Sequence, residues 1–217
     1  HMSIHPTAIV HDAAELADDV VLGPYTIVGD GVVLGNGVTV GAHATINGPT
    51  RIGAQCQIFP YAAIGGDAQD KKYAGEAAFL NIGERNIFRE FTTINRGTEG
   101  GTTLIGNDNL FMAYTHVTHD AQIGNHCAFA NSANVAGHVV VADNVVLGGL
   151  VGVHQHCRIG RCSMVGGGGM AAQDVPPFTI AQGDRARLFG LNIVGLRRNG
   201  FSLEVVNALK GAYRELF

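Results

Sequence analysis

Histidine is gathered into one stretch of this chain: six of its ten lie between His116 and His156. A neutral imidazole can take a proton from a hydroxyl near neutral pH, and a neighbouring carboxylate can orient the ring and stabilise the cation that forms. His119 followed directly by Asp120 supplies both groups. His116, His138, His154, Gln155 and His156 add further rings and an amide. A single surface histidine is ordinarily just solvated, so the chemistry depends on whether the fold brings these residues to one face.

A six-residue period bears on that question. Stepping by six from Ile4 gives Val10, Leu16, Leu22, Val28, Leu34, Val40, Ile46, Ile52, Ile58 and Ile64 without a miss. A second run reads Ile105, Phe111, Val117, Ile123, Phe129, Val135, Val141, Leu147, Val153, Ile159, Val165 and Ala171. Small or β-branched residues stand four places after these beats, as at Ala44, Cys56, Ala62, Ala121 and Cys127, and Gly often follows the aliphatic residue directly. This is the hexapeptide pattern of a parallel β-helix, in which each hexad is a short strand plus a corner and about 18 residues close one turn. Turns stack about 4.8 Å apart, so the core grows with every repeat.

In that register Val117, Val135 and Val153 stack, and the residues one to three places after each point outward. One face is thus expected to present His119, Asp120, His138, His154, Gln155 and His156, with Asn95 and Arg96 one turn below. Adjacency of His119 and Asp120 does not decide whether the carboxylate reaches the ring. Three imidazoles on one wall also suit zinc, as in carbonic anhydrases built on a similar coil, where the metal generates hydroxide. A non-catalytic coil would show a flat repetitive face such as Thr ladders, and this face is not repetitive.

Two segments break the period. Residues 65–80 are polar and put Asp70 and Glu76 on beats that should be aliphatic. The period returns at Ile82, Phe88 and Ile94, then slips by five residues over 97–104, so both segments must loop out and Ile94 lies beneath Val117. The repeat stops near Ala171, because Pro176 and Pro177 cannot feed a ladder. The coil is therefore read as 3–178, and 179–217 as a linker and a helical segment capping it. In that segment Ser202 reads as an N-cap and Val205, Val206, Leu209, Tyr213 and Leu216 follow at helical spacing.

Charge is divided unevenly. Residues 1–157 carry 6 Lys/Arg against 14 Asp/Glu, whereas 158–217 carry 8 against 4. An acidic partner or a phosphate suits the basic end. Nucleic acid does not suit a chain with a net charge of −4 and no interleaved aromatics. No apolar run is long enough for a membrane span. Cys56, Cys127 and Cys157 occupy the small interior slot and Cys162 stands alone, which fits reduced packing residues in a cytoplasmic protein. His1 ahead of Met2 reads as a remnant before a native start.

Six motifs add a resemblance that covers nearly the whole chain. They are Gln-Asp-x-Lys-Tyr-Ala-Gly-Glu at 69–76, Ala-Tyr-Thr-His-Val-Thr-His-Asp at 113–120, Ala-Gly-His at 136–138, Val-His-Gln at 153–155, Gln-Asp-Val-Pro-Pro-Phe at 173–178 and Phe-Gly-Leu-Asn-Ile at 189–193. With them the chain resembles the UDP-N-acetylglucosamine acyltransferases that begin lipid A biosynthesis. The resemblance implies a left-handed coil and a cytoplasmic homotrimer with sites between subunits. It implies transfer of an (R)-3-hydroxyacyl chain from the phosphopantetheine of an acidic acyl carrier protein to the glucosamine 3-hydroxyl, with no metal and no other cofactor. By that analogy His119 is the general base, Asp120 its partner, and Gly137 an N–H donor to the oxyanion. Gln69, Asp70, Lys72, His116, His138 and Gln155 would contact the sugar nucleotide, with His154 nearby, and Asn192 and Arg198 would hold its ribose and phosphate end. Gly167 stands where relatives limit acyl-chain length, and its missing side chain leaves room for a longer chain. Relatives commonly have His at Asn95, Glu at Val194 and Arg at Asn199, which leaves a 3-amino sugar open as the acceptor. They also run tens of residues beyond Phe217, so part of the helical cap is expected to be missing.

Overall fold

The computed structural model describes residues 1–217. Its chain winds as a left-handed parallel β-helix and ends in two helices, α1 (Ile193–Arg198) and α2 (Leu203–Leu216). Short strands fall on three flat faces of 11, 9 and 8 strands. On the second face Val10, Val28, Ile46, Ile64, Ile94, Val117, Val135, Val153 and Ala171 pair in succession. These beats point inward into one continuous core of 39 buried residues. Phe88 stacks on Phe111 there at 5.0 Å, and Phe129 meets Phe111 edge-on. Cys56, Cys127 and Cys157 are buried free thiols in that core, as small interior residues. Each large aliphatic buried in this way contributes roughly 1.5–3 kcal/mol relative to exposure.

The corners determine what faces outward. Many carry a non-glycine residue in the left-handed region, with φ of 61° at Asp120, 60° at His138 and 65° at His156. That conformation costs on the order of 1–2 kcal/mol for an L residue. Bonds between turns hold it: the His138 N–H donates to the His119 carbonyl at 3.2 Å, and the His156 N–H to the Gly137 carbonyl at 3.1 Å. Side chains 18 residues apart therefore stack along each corner.

The two breaks are excursions from this coil. Ile64 pairs with Ile94, and Ile94 with Val117 as the slip requires, so the ladder closes beneath both loops. The first runs over 67–78 and the second over 96–101, each narrower than the period suggests because Ala63–Gly66, Phe79–Ile82 and Thr102–Ile105 already pair as strands. The excursions are zipped together. Gly100 N–H donates to the Ala77 carbonyl at 2.8 Å, Phe79 N–H to Gly101 at 3.0 Å, and Gly97 N–H to Phe79 at 3.0 Å.

At the C-terminal end the ladder reaches beyond 178. Thr179–Gln182 pairs parallel with Met164–Val165 and turns back antiparallel into Arg187–Leu191, where the sequence suggested a linker. The prolines occupy only a corner, and Gly183 at φ 90° supplies the reversal. The short helix α1, with no hexad and no long apolar stripe, was not legible in the sequence. For α2, the Ser202 hydroxyl accepts from the Val205 N–H at 3.3 Å as a cap. The tail packs through Leu196 and Val206 onto Cys162, with Phe178, Phe201 and Leu209 around them. No helix is long and apolar enough to cross a membrane.

Candidate active site

The corner between the second and third faces carries the histidines. His119 Nδ1 lies 2.9 Å from Asp120 Oδ2, so the carboxylate does reach its neighbour's ring. Asp120 is held below the usual carboxylate range: burial pushes its pKa up, but the Thr98 hydroxyl, His119, the Thr98 N–H and His138 together outweigh burial. An ionised Asp120 requires the proton on Nδ1, which leaves Nε2 as the basic nitrogen.

Gly137 lies against that nitrogen. A Cβ there would stand 2.7 Å from His119 Cε1 and 2.9 Å from Nε2, so only glycine leaves room for the ring. The Gly137 N–H donates to no group within the chain. His138 follows, its ring 5.3 Å from that of His119 and edge-on, with Nε2 3.8 Å from Asp120 Oδ2. His156 stacks on His138 at 4.8 Å. The third imidazole of the wall is therefore His156 rather than His154, because His156 shares the corner position and His154 does not.

The first excursion folds over this corner. Asp70 Oδ2 comes to 3.7 Å from His119 Nε2, and Asp70 Oδ1 accepts from the Lys72 N–H at 2.9 Å. His119 leaves the coil on the outer corner as the repeat suggests, but the excursion covers it, so its side chain is only 11 % exposed. His116 Nδ1 meets the Thr93 hydroxyl at 2.6 Å, and burial pushes its pKa down, with His119 adding to the shift and Thr93 opposing it. His116 is thus a neutral ring on the adjacent face.

Other expected site residues are placed differently. Asn95 and Arg96 are buried instead of lining the outer face. Arg96 reaches back to the Gly65 carbonyl, the Asp67 carboxylate and the Tyr73 hydroxyl, and so ties down the root of the first excursion. Gln69, Lys72, Gln155 and Arg198 are exposed with free side chains. His154 lines a separate shallow cavity with Gly152, Met170 and Arg185. Asn192 is buried and caps α1, its amide donating to the Cys162 carbonyl at 3.0 Å and accepting from the Gly195 N–H at 3.1 Å. Gly167 is exposed, and a Cβ there would meet only Gly149, at 3.4 Å, in ordinary contact.

His119, Asp120 and His138 are the one group whose ligand atoms converge, within 4.8 Å. His119 and Asp120 already hydrogen-bond through Nδ1 and Oδ2, and neither His154 nor His156 joins the group, so the three-imidazole set of a zinc centre is not assembled within the chain. The period could not have found Thr98, Asp67 or Tyr73, since the loops that carry them leave the register, whereas Thr93 lies in register beneath His116 and the stacking of Ile94 under Val117 would have paired them.

Known proteins share this chain's sequence and fold over nearly its whole length. Residues 174–217 match the family described as UDP N-acetylglucosamine O-acyltransferase, domain 2, and residues 13–48 match the bacterial transferase hexapeptide (six repeats). The chain is 54 % identical to an acyl-[acyl-carrier-protein]–UDP-N-acetylglucosamine O-acyltransferase of Stenotrophomonas maltophilia, over 99 % of this chain and 82 % of that one. A protein of the same name from Aliarcobacter butzleri is also 54 % identical, over 99 % and 84 %. Among solved structures, LpxA from Acinetobacter baumannii superposes with a TM-score of 0.95 at 43 % identity, covering 99 % of this chain and 84 % of that one. The UDP-N-acetylglucosamine O-acyltransferase of Moraxella catarrhalis gives 0.96 at 44 %, with the same coverage.

Proposed function

The chain belongs to the UDP-N-acetylglucosamine O-acyltransferases, and on that premise we propose how its own residues carry out the transfer. The reaction moves an acyl chain from acyl carrier protein to UDP-N-acetylglucosamine, the first step of lipid A biosynthesis. His119 Nε2 takes the proton of the sugar 3-hydroxyl as that oxygen attacks the thioester carbonyl carbon of an (R)-3-hydroxyacyl group. Asp120 stabilises the imidazolium so formed. The Gly137 N–H donates to the oxyanion of the tetrahedral intermediate, a fixed dipole aimed at charge as it develops. Collapse of the intermediate breaks the C–S bond, and the phosphopantetheine sulfur leaves with the proton held by His119. No covalent acyl-enzyme and no metal step enters. The observation that carries this reading is the His119–Asp120 bond of 2.9 Å with the Gly137 position packed against the free nitrogen.

Asp70 and His138, which lie beside His119, and Gln69, Lys72, His116 and Gln155 contact the sugar nucleotide, with His154 nearby. Asn192 and Arg198 hold the ribose and phosphate end, Asn192 also capping the helix that carries Arg198. Gly167 leaves space for a long acyl chain. The protein works in the cytoplasm as a homotrimer. Tyr25, His43, Tyr61, Phe91 and Tyr114 form an unbroken ladder of stacked rings on the corner between the first and second faces. Its tyrosines and Phe91 are exposed, which favours burial against neighbouring subunits. The basic C-terminal end suits the acidic carrier protein.

The test is turnover of UDP-N-acetylglucosamine with a panel of 3-hydroxyacyl carrier proteins, product mass identifying the acyl group and proton NMR of the sugar ring the acylated position. His119→Ala should lose at least about 10²-fold in rate while keeping its circular dichroism and melting temperature. Near-native turnover in that variant removes His119 as the base.

A further inference from the structure

Asp120 shares its corner and its backbone conformation with His138, yet its side chain is 11 % exposed against 45 %. The difference comes from the second excursion, which wraps the carboxylate. Thr98 Oγ donates to Asp120 Oδ2 at 2.7 Å, and the Thr98 N–H lies 3.2 Å from both carboxylate oxygens. Gly97 and Gly101 flank it, and a Cβ at either would collide with Asp120 Oδ1, at 2.6 Å in the case of Gly97. Thr103 Oγ accepts the Asp120 N–H at 2.9 Å and so fixes its backbone. The charged and titratable groups around the pair are His119 and His138 on the corner and Asp70, which faces His119 Nε2. None of them sets the plane of the carboxylate. Thr98 does that: its hydroxyl donates to Oδ2, the oxygen that also meets His119 Nδ1, while its N–H reaches both oxygens and so fixes the rotation of the carboxylate.

We propose that the second excursion, through Thr98, is a positioning device that orients the Asp120 carboxylate toward His119 Nδ1. It rests on the reading of His119 and Asp120 as the base pair of the reaction. Thr98 touches no reacting atom; it acts through Asp120. In its absence the carboxylate rotates about its side-chain bonds, the bond to Nδ1 lengthens, and Nε2 loses both its preferred tautomer and its aim. Binding of either substrate does not pass through this contact, so the loss appears in kcat rather than KM.

The experiment uses the intact protein with Thr98→Val, Thr98→Ser and His119→Ala. Thr98→Val should lower kcat about tenfold with both KM values within about twofold of wild type. The low-field proton resonance of His119 Nδ1 should move upfield in this variant, and Thr98→Ser should restore both readouts. If the valine variant is poorly folded, Thr98→Ala takes its place, since it keeps the N–H donor and adds no bulk. Wild-type kcat and resonance in a folded valine or alanine variant overturn the proposal. A serine variant as slow as valine, with a matching drop in melting temperature, also overturns it by reducing Thr98 to a packing role. An active His119→Ala refutes the base assignment itself, whereas an inactive His119→Ala beside an unaffected Thr98→Val refutes only the role of Thr98.

Discussion

Adding one methyl group to Gly137 is the sharpest perturbation available to this site. The Cβ of Gly137→Ala would stand 2.7 Å from His119 Cε1, whereas ordinary contact begins at 3.4 Å. The backbone of residue 137 is anchored by its carbonyl, which accepts the His156 N–H at 3.1 Å, so the ring gives way rather than the coil. The imidazole must retreat by about 0.7 Å, and its 2.9 Å bond to Asp120 stretches or tilts as it does. A misplacement approaching 1 Å at a reacting group costs on the order of 10²-fold in rate, about 2.7 kcal/mol of barrier. Overpacking a single methyl costs about 1 kcal/mol of stability at the low end of such changes, so the protein stays folded. Single-turnover rates with UDP-N-acetylglucosamine and a 3-hydroxyacyl carrier protein, alongside a thermal melt, separate the two effects. A folded Gly137→Ala variant within about threefold of wild-type rate would refute the claim that this close approach sets the position of the base.

Further outcomes follow from the same geometry. Burial holds the His116 pKa below its usual 6.5 in the folded chain, so the unfolded chain binds the proton first and stability falls as pH drops through that value. The melting temperature of wild type should decline more steeply below pH 6.5 than that of His116→Gln, and parallel curves would contradict the burial argument. Gly167→Met meets only ordinary contact at its Cβ, so it should fold normally and shift preference toward shorter acyl chains in competition between carrier-protein substrates. An unchanged chain-length profile would remove Gly167 from the acyl path. Dialysis against a chelator should leave turnover unchanged, and loss of rate restored by zinc would revive the metal reading of His119, Asp120 and His138.

The six-residue period determined the coil, its three faces and the stacking of Val117, Val135 and Val153, because interior burial repeats with the geometry that creates it. It also placed Ile94 under Val117 across an irregular loop. The adjacent pair His119–Asp120 and the capping Ser202 were legible because each depends on near neighbours in the chain. What the period could not carry was the contribution of segments that leave it. The first excursion buries His119 and brings up Asp70, Arg96 turns inward to hold that excursion, and the second lays Thr98 on Asp120. The sequence likewise does not show that the Asn192 amide caps α1 and donates to the Cys162 carbonyl. A repeat encodes local, nearest-neighbour contacts and therefore shows in the sequence, while loop closure over a corner depends on contacts among residues far apart in the chain, which only the tertiary structure decided.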